Sequence, residues 1–202
     1  MSSTTREEPL ARAAVNVVAD QPPPVQHAVR RLRGWRALDA AVLLAINRRH
    51  HTPRVDRYVS LVSDAGRGVG WGAVFLAMFV LGDRRARHVA LRSTVVMLLA
   101  NVVSEGPIKR RFRRRRPWHD VVDHVVVGPR TPDTSFPSGH TTTSFAAATS
   151  LVLAYPVAAV PAYAAAAAVG ISRVYLGHHY PSDVLAGAAL GTGAGAVAAR
   201  LA

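Results

Sequence analysis

The sequence predicts an all-α membrane protein, a polytopic bundle of about five spanning helices preceded by amphipathic helices. Half of the 202 residues are hydrophobic, and they fall in long blocks. The polar residues cluster between these blocks, whereas the helices of a soluble bundle carry polar residues along one face. The long apolar blocks also exclude intrinsic disorder for most of the chain. A soluble bundle with buried Ala-rich helices is the alternative.

Residues 1–33 are predicted to form a polar, disordered N-terminal tail, and residues 34–202 a membrane-embedded domain. The tail includes three consecutive prolines at 22–24, which cannot lie inside a helix. It ends in a cluster of arginines at 30, 31 and 33. No apolar core follows an N-terminal charge cluster at the distance typical of a signal peptide, so we expect no cleaved signal.

Residues 35–65 are predicted to form two short amphipathic helices at the membrane interface. The apolar run 40–46 is too short to cross a hydrocarbon core of roughly 30 Å, and two arginines and two histidines close it at 48–51. The segment 55–62 places valines at helical spacing with charged residues between them. Helices of this kind lie in the interface.

Five later segments are predicted to span the membrane, namely 69–82, 89–108, 141–155, 157–171 and 184–199. A spanning helix needs about 20 residues, so the shorter segments require snorkelling arginines or local thinning of the bilayer. The last segment carries Gly187, Gly191 and Gly195 at four-residue spacing. Small residues at this spacing let helix backbones approach closely in lipid, which predicts a packing role for these glycines.

The composition excludes several function classes. The chain has 25 Lys and Arg against 12 Asp and Glu, a formal net charge of +13, and no cysteine. The lack of cysteine excludes disulfides, thiolate metal sites and cysteine nucleophiles. Aromatic residues make up 6%, too few for a platform that stacks bases. Because the membrane segments disfavour DNA binding despite the charge, we expect no nucleic-acid partner.

The first polar cluster is the cationic run 109–117. It contains Lys109, the only lysine, and Arg116 seven residues later. On a helix these two residues share a face after two turns, and Pro117 would end that helix near Arg116. Two cations on one face at a helix end can bind a dianion. The alternative is a positively charged loop at the membrane surface.

The second cluster, 135–143, comes immediately before an apolar helix. Ser138 is a suitable N-cap, and Gly139 allows close backbone approach. The unpaired N–H groups at a helix start bind phosphate, and His140 would stand at that position. The alternative is a simple capping turn with an incidental histidine.

The third cluster, 172–183, lies between two apolar helices and contains Arg173. Asp183 can reach back to His179 and accept its Nδ1 proton, which leaves the other ring nitrogen free to attack. One alternative is a structural His–Asp pair. Another is a zinc site formed by His140, His179 and Asp183, which the surrounding cations would disfavour.

The predicted membrane path brings the clusters together. Two helices separate the loop that holds the first two clusters from the loop that holds the third, so both loops lie on the same side of the membrane. One histidine with an orienting carboxylate, a second histidine and three cations make a centre suited to phosphoryl transfer. Such a centre acts mainly by positioning the reacting groups and by neutralising charge on the phosphoryl oxygens.

The three clusters resemble the signatures of a known family. The motifs are Lys-x6-Arg-Pro at 109–117, Pro-Ser-Gly-His at 137–140 and Ser-Arg-x5-His-x3-Asp at 172–183. In this order and with this spacing they resemble the type 2 phosphatidic acid phosphatase family, the lipid-phosphatase branch of the superfamily that includes vanadium haloperoxidases. The resemblance covers roughly residues 38–200.

The resemblance implies a role for each motif residue. His179 would be the nucleophile that forms a phosphohistidine, and Asp183 its orienting carboxylate. His140 would protonate the leaving alkoxide and then activate water. The family needs no metal or other cofactor. The phosphate-binding residues implied by the resemblance are Lys109, Arg116, Ser138, Gly139 and Arg173.

The resemblance also implies a function, hydrolysis of a lipid phosphate at the membrane in cell-envelope biosynthesis. The substrate classes are a polyprenyl phosphate or diphosphate, a polyprenyl-phosphoryl sugar phosphate such as a decaprenylphosphoryl phosphoribose, and phosphatidate or phosphatidylglycerol phosphate. The motifs do not choose among these substrates and do not indicate an oligomeric state. Two alternatives are a vanadate-dependent haloperoxidase and a non-catalytic polybasic protein that binds anionic lipid.

The charge distribution predicts which side of the cell membrane holds the active site. Six-helix members of the family carry a spanning helix before the amphipathic stretch, and here only the polar tail occupies that place. With five spans, five of the 25 cations lie opposite the catalytic loops, and the other twenty lie on the catalytic side. The excess of positive charge favours a cytoplasmic active site. The five are Arg84, Arg85, Arg87, Arg92 and Arg200.

Overall fold

A computed structural model describes residues 4–21, 23, 26, 29, 32, 34–48, 51–121 and 124–200. Within these residues the chain is all-helical and contains no strand. Two π-helical turns, Ala65–Val69 and Ser104–Ile108, and a 3₁₀ turn, Pro156–Ala158, connect some of the α-helices. The α-helices are α1 (Thr4–Val17), α2 (Trp35–Asn47), α3 (Pro53–Asp64), α4 (Gly70–Leu81), α5 (Arg84–Val103), α6 (Lys109–Phe112), α7 (Pro117–Asp120), α8 (Gly139–Ala154), α9 (Ala159–Tyr175) and α10 (Pro181–Arg200).

Three helical stretches among the described residues are long and apolar enough to cross a membrane, namely Pro53–Leu81, Arg84–Asp120 and Pro156–Tyr175. The chain is therefore a multi-helix membrane protein, but the number of five spans is not confirmed. The other two predicted spans coincide with α8 and α10. The first of these has only 16 residues. The second begins with Pro, Ser and Asp and contains four glycines, which lower its mean hydropathy.

The structure forms a separate helix, α3 (Pro53–Asp64), around the predicted segment 55–62, and its position at the membrane interface stays a prediction. The side chain of Thr52 accepts a hydrogen bond from the Val55 N–H, and Pro53 occupies the first turn, so α3 begins there. The helix ends at Asp64, and the left-handed backbone of Gly68 (φ of 120°) in the π turn Ala65–Val69 makes a kink before α4 begins.

The N-terminal segment also differs from the predicted disordered tail, because α1 lies within it. Ala14 and Val18 are fully buried and belong to one apolar cluster with Ala41 and Leu44 of α2. Their four-residue spacing places them on one helical face. The boundary at residues 33 and 34 stays a prediction. Pro22, Pro24, Arg30, Arg31, Arg33, Arg49 and His50 lie outside the described residues.

Helix α8 lies at the centre of the bundle, packed against α5, α9 and α10. Its Ala146, Ala147 and Ala148 are fully buried. The large apolar side chains instead point outward, as Leu81 (84% exposed) and Val160 (81% exposed) do. Small residues inside and large apolar residues outside are the pattern of helices packed in lipid.

The glycines of α10 let this helix pack closely on α8. A Cβ at Gly187 would lie 2.7 Å from the Ser138 carbonyl oxygen, and one at Gly191 would overlap the Thr142 carbonyl oxygen. The close approach also joins the two helix starts, since the Ser138 N–H donates to the Asp183 carbonyl at 3.0 Å. Packing of these glycines therefore sets the relative position of the second and third polar clusters.

We expect Gly191→Ala to lower the thermal unfolding temperature of the purified protein in detergent. The added methyl group would force α8 and α10 apart, and such overpacking costs about 1–3 kcal/mol. Gly193→Ala is the matched control, because a Cβ there meets nothing within 4 Å. This control should be neutral or stabilising, since alanine favours a helix over glycine by about 1 kcal/mol. Equal destabilisation by both variants would contradict the packing role.

Candidate active site

A cavity of about 440 Å³ lies where the three polar clusters meet. Six of the residues predicted from sequence line it, whereas Ser138 and Asp183 are fully buried outside its lining. Three charged residues that the sequence analysis did not single out, Arg67, Glu105 and Asp133, also line it. The six predicted residues on the cavity wall are Lys109, Arg116, Gly139, His140, Arg173 and His179.

Lys109 and Arg116 do not share a helix face, so that prediction is wrong. Helix α6 ends at Phe112, and Arg113 takes a left-handed conformation with φ of 47°. The chain is extended at Arg116, and Pro117 begins α7. A run of like charges opposes helix continuation, which explains the early end. The two cations nevertheless converge, because the loop between them folds back toward Asp133.

Asp133 bridges the two cations. Its Oδ2 lies 2.6 Å from Lys109 Nζ, and both of its oxygens lie 2.8 Å from Arg116 NH2. Partial burial by itself would raise the pKa of Asp133, but the hydrogen bond from Lys109 and the charge of Arg116 outweigh it, so this pKa lies well below its usual value. A phosphate that binds Lys109 and Arg116 must therefore displace an ionised carboxylate. Nothing in the loop sequence around Asp133 indicates this position.

His179 is buried and held in one tautomer. Its Nε2 lies 3.2 Å from Arg116 NH1, which can only donate, and its Nδ1 lies 2.7 Å from the Ser135 carbonyl oxygen, which can only accept. The ring is therefore neutral with its proton on Nδ1. Burial lowers the pKa of His179 well below its usual range, and the charges of Arg116 and Arg173 act in the same direction. A lone pair on Nε2 is the nucleophilic form of the ring.

Asp183 is not the hydrogen-bond partner of His179, contrary to the prediction from sequence. Its Oδ2 lies 3.6 Å from His179 Nδ1, beyond a hydrogen bond. Instead Oδ2 accepts from the Tyr180 N–H at 2.9 Å, and Oδ1 accepts from Arg114 NH1 at 2.8 Å. The partner of Nδ1 is the Ser135 carbonyl, a backbone group that has no sequence signature.

Ser138 occupies the N-cap position of α8 as predicted, but its side chain caps no backbone N–H. Its hydroxyl accepts a hydrogen bond from Thr141 at 2.9 Å. The buried hydroxyl therefore lies behind the cavity wall. Gly139 does line the cavity, and a Cβ there would overlap the carboxylate of Glu105. Glycine is thus required at this position for steric reasons.

His140 projects into the cavity from the first turn of α8. Its Nε2 lies 3.3 Å from Nε of Arg67. Because a guanidinium can only donate, this ring nitrogen accepts and carries no proton in this state. Arg67 comes from the π turn Ala65–Val69, a segment that the sequence analysis left without a functional role.

Arg173 reaches the cavity from the last turn of α9 and is buried. Its NH1 donates to Ser63 Oγ at 2.7 Å. Its buried Nε has no hydrogen-bond acceptor among the residues that the structure describes. A buried donor without a partner is uncommon and marks a place for a missing acceptor. An anion in the cavity would supply that acceptor.

The zinc alternative requires His140, His179 and Asp183 at one point. The two oxygens of Asp183 are engaged by Arg114 and Tyr180, and Nδ1 of His179 faces a carbonyl. Across the described part of the chain, no group of three His, Asp or Glu side chains is arranged to hold a metal ion. The cationic donors around the cavity, Lys109, Arg116 and Arg173, suit an anion instead.

The sequence is similar to those of known phosphatases. The decaprenylphosphoryl-5-phosphoribose phosphatase of Mycobacterium tuberculosis is 44% identical over 95 residues, which are 45% of this chain and 49% of that protein. The undecaprenyl-diphosphatase BcrC of Bacillus subtilis is 27% identical over 136 residues, which are 67% of this chain and 69% of that protein. The chain thus aligns with about half the length of the first relative.

The fold has a counterpart among solved structures. The crystal structure of Aquifex aeolicus LpxE has a TM-score of 0.64 at 24% identity, and the match covers 79% of this chain and 93% of that one. A family model described as the PAP2 superfamily matches residues 90–202, a range that contains all three polar clusters. Since this match covers more than half of the 202 residues, the chain belongs to the PAP2 superfamily.

Proposed function

We propose that the protein is a membrane lipid phosphate phosphatase that acts through a phosphohistidine on His179. The observation that carries this proposal is the state of the His179 ring. Its Nδ1 proton is held by the Ser135 carbonyl, and its Nε2 lone pair lies beside Arg116. Arg116 would hold a phosphate oxygen next to the attacking nitrogen, which is the geometry that nucleophilic catalysis requires.

In the first step, the phosphate dianion displaces the Asp133 carboxylate from Lys109 and Arg116. The unpaired Nε of Arg173 supplies a further donor. Nε2 of His179 then attacks phosphorus, a P–N bond forms, and the P–O bond to the lipid breaks. The cations neutralise charge on the phosphoryl oxygens, which is the main contribution a protein makes to phosphoryl transfer.

His140 acts as the general acid in the first half of the reaction and as the general base in the second half. Its protonated ring donates to the leaving oxygen as the P–O bond breaks, so the lipid departs as an alcohol or a monoanionic phosphate. The neutral ring then accepts a proton from water, which attacks the phosphohistidine and releases orthophosphate. The P–N bond breaks, and the proton held by Nδ1 restores neutral His179.

We propose a polyprenyl-linked phosphate as the substrate class. The Mycobacterium tuberculosis and Bacillus subtilis relatives are named for decaprenyl and undecaprenyl substrates, and the exposed apolar faces of the helices suit a long lipid tail at the cavity. Within this class a polyprenyl diphosphate and a polyprenyl-phosphoryl sugar phosphate both fit. The excess of cations on the catalytic side favours placing the site at the cytoplasmic face of the cell membrane.

Two contacts argue against a purely electrostatic role for the arginine run. A polybasic anchor requires solvent-facing cations, but Arg116 is 4% exposed and bonded to Asp133. Arg114 bonds Asp39 and Asp183, which are both buried. These contacts support an internal role for part of the run.

The proposal is tested by measuring orthophosphate release in detergent from undecaprenyl diphosphate, undecaprenyl monophosphate and phosphatidate. Wild-type protein should release phosphate from a polyprenyl substrate at a higher rate than from phosphatidate. A protein quenched in alkali during turnover should retain labelled phosphate, because phosphohistidine survives alkali. A folded wild-type protein that releases phosphate from no lipid would refute the proposed function.

A further inference from the structure

Arg67 is held at the cavity mouth by a turn that the packing fixes. A Cβ on Gly66 would overlap the Val169 side chain, and the Gly66 carbonyl accepts from Ser144 Oγ at 3.2 Å. Gly68 has φ of 120°, a conformation that glycine adopts without strain. The two glycines therefore allow a close fit against α8 and α9 and direct the intervening Arg67 toward the cavity.

Arg67 differs from Lys109 and Arg116 in its partner. Lys109 and Arg116 both bond the Asp133 carboxylate, whereas Nε of Arg67 contacts the uncharged Nε2 of His140 at 3.3 Å. In the described part of the chain Arg67 forms no salt bridge. Since an anionic acceptor adds charge–charge attraction to the hydrogen bond that a guanidinium donates, an anionic group near His140 would take this contact.

The position beside His140 lies on the leaving-group side of the reaction. In the proposed mechanism His140 protonates the leaving oxygen, while Lys109 and Arg116 hold the phosphoryl group that His179 attacks. A cation that touches His140 itself is thus placed to meet the atoms that follow the leaving oxygen. In a diphosphate, or in a sugar linked to a lipid by phosphate, those atoms include a second phosphoryl group.

We infer that Arg67 forms a second anion subsite, which binds a phosphoryl group carried by the leaving group of the substrate. This inference rests on the proposed function and narrows it. The preferred substrates are lipid phosphates with two phosphoryl groups, such as polyprenyl diphosphates, and not monoesters with an uncharged leaving group. When that second group binds, Arg67 leaves Nε2 of His140, which frees this nitrogen to carry the proton for the leaving oxygen.

The kinetic test compares two substrates that share one lipid, undecaprenyl diphosphate and undecaprenyl monophosphate. Arg67→Gln should lower kcat/KM for the diphosphate by about tenfold or more, the effect of losing a hydrogen bond to a charged group. The same variant should change kcat/KM for the monophosphate by less than about threefold. Arg57→Gln is the matched control, because Arg57 is exposed on α3 and lies outside the cavity lining.

A binding test works without turnover. Methylenediphosphonate, which cannot be hydrolysed between its phosphorus atoms, should raise the unfolding temperature of the wild-type protein more than orthophosphate does. Arg67→Gln should remove this difference, and Arg57→Gln should keep it. If the wild-type protein shows this difference in unfolding temperature but hydrolyses no lipid phosphate, the anion subsite stands and the proposed function fails.

Equal losses of kcat/KM for both substrates in Arg67→Gln would overturn the inference, because Arg67 would then act on His140 or on the reacting phosphoryl group. Unchanged kinetics with both substrates would also overturn it. An unfolding temperature that responds equally to methylenediphosphonate and orthophosphate in the wild-type protein would overturn it independently of activity.

Discussion

His179→Ala is expected to abolish phosphate release, whereas His178→Ala is expected to leave activity within about tenfold of the wild type. The two residues are adjacent in sequence, but their side chains have different surroundings. His179 lines the cavity with Nε2 beside Arg116. Loss of the nucleophile removes the covalent route, for which we expect a loss of at least about a thousandfold.

His178 points away from the reacting groups. Its Nε2 lies 2.8 Å from the Val127 carbonyl oxygen, and its ring meets Trp118 edge-on at 5.7 Å between centroids. Burial is the main reason that the pKa of His178 falls to about 4, so the ring is neutral near pH 7. The residue therefore ties the third cluster to the loop before α8, a contact whose loss costs stability and leaves the chemistry in place.

The measurement is the initial rate of orthophosphate release in detergent, with the unfolding temperature of each variant recorded beside it. A folded His179→Ala protein with wild-type rates would exclude His179 as the nucleophile. A folded His178→Ala protein without activity, paired with an active His179→Ala protein, would show that the motif is aligned to the wrong histidine.

Several features of the fold and site could be predicted from the sequence because they follow from local patterns. Apolar blocks indicate helices, and glycines at four-residue spacing indicate a close helix contact, as seen between α10 and α8. Counting the predicted membrane crossings led to the expectation that the three clusters converge, and residues of all three line one cavity. The structure brings six of the predicted site residues around one cavity, although their roles in turnover stay predictions.

The remaining features depend on contacts between residues far apart in the chain. Arg67 meets His140, 73 residues away, and Arg114 meets Asp39, 75 residues away. No periodicity encodes such pairs, since loop conformations decide them. The end of helix α6 before Arg113 illustrates this, because a seven-residue spacing predicts a shared face only if the helix continues. The carbonyl of Ser135 could not be predicted because every residue carries one.

Arg114 shows that neighbouring residues in one charged run have different roles. Its guanidinium lies 2.6 Å from Asp39, 2.8 Å from Asp183 and 4.0 Å from the centre of the Tyr180 ring. The Asp39 side chain is 5% exposed, and that of Asp183 is fully buried. Arg114 thus neutralises two buried carboxylates, that of Asp39 on α2 and that of Asp183 in the first turn of α10. The adjacent Arg115 is 66% exposed and pairs with Asp120 only at 3.5 Å.

Arg114→Met is therefore expected to destabilise the protein by about 3–5 kcal/mol, the usual cost of leaving a buried charge without its partner. Arg115→Met should change the stability by no more than about 0.5 kcal/mol, as for other exposed substitutions. The measurement is unfolding in detergent by heat or denaturant. Similar losses of stability in the two variants would contradict the internal role of Arg114.

A double substitution separates loss of the ion pair from loss of packing. If the cost of Arg114→Met comes from unpaired carboxylates, Asp39→Asn should be less damaging in the Arg114→Met background than in the wild type, with a coupling of about 0.5–3 kcal/mol. Independent, additive costs would mean that Arg114 stabilises the fold mainly through its contact with the Tyr180 ring. Because Asp183 caps the Tyr180 N–H beside His179, the coupled result also predicts that Arg114→Met lowers kcat more than Arg115→Met does.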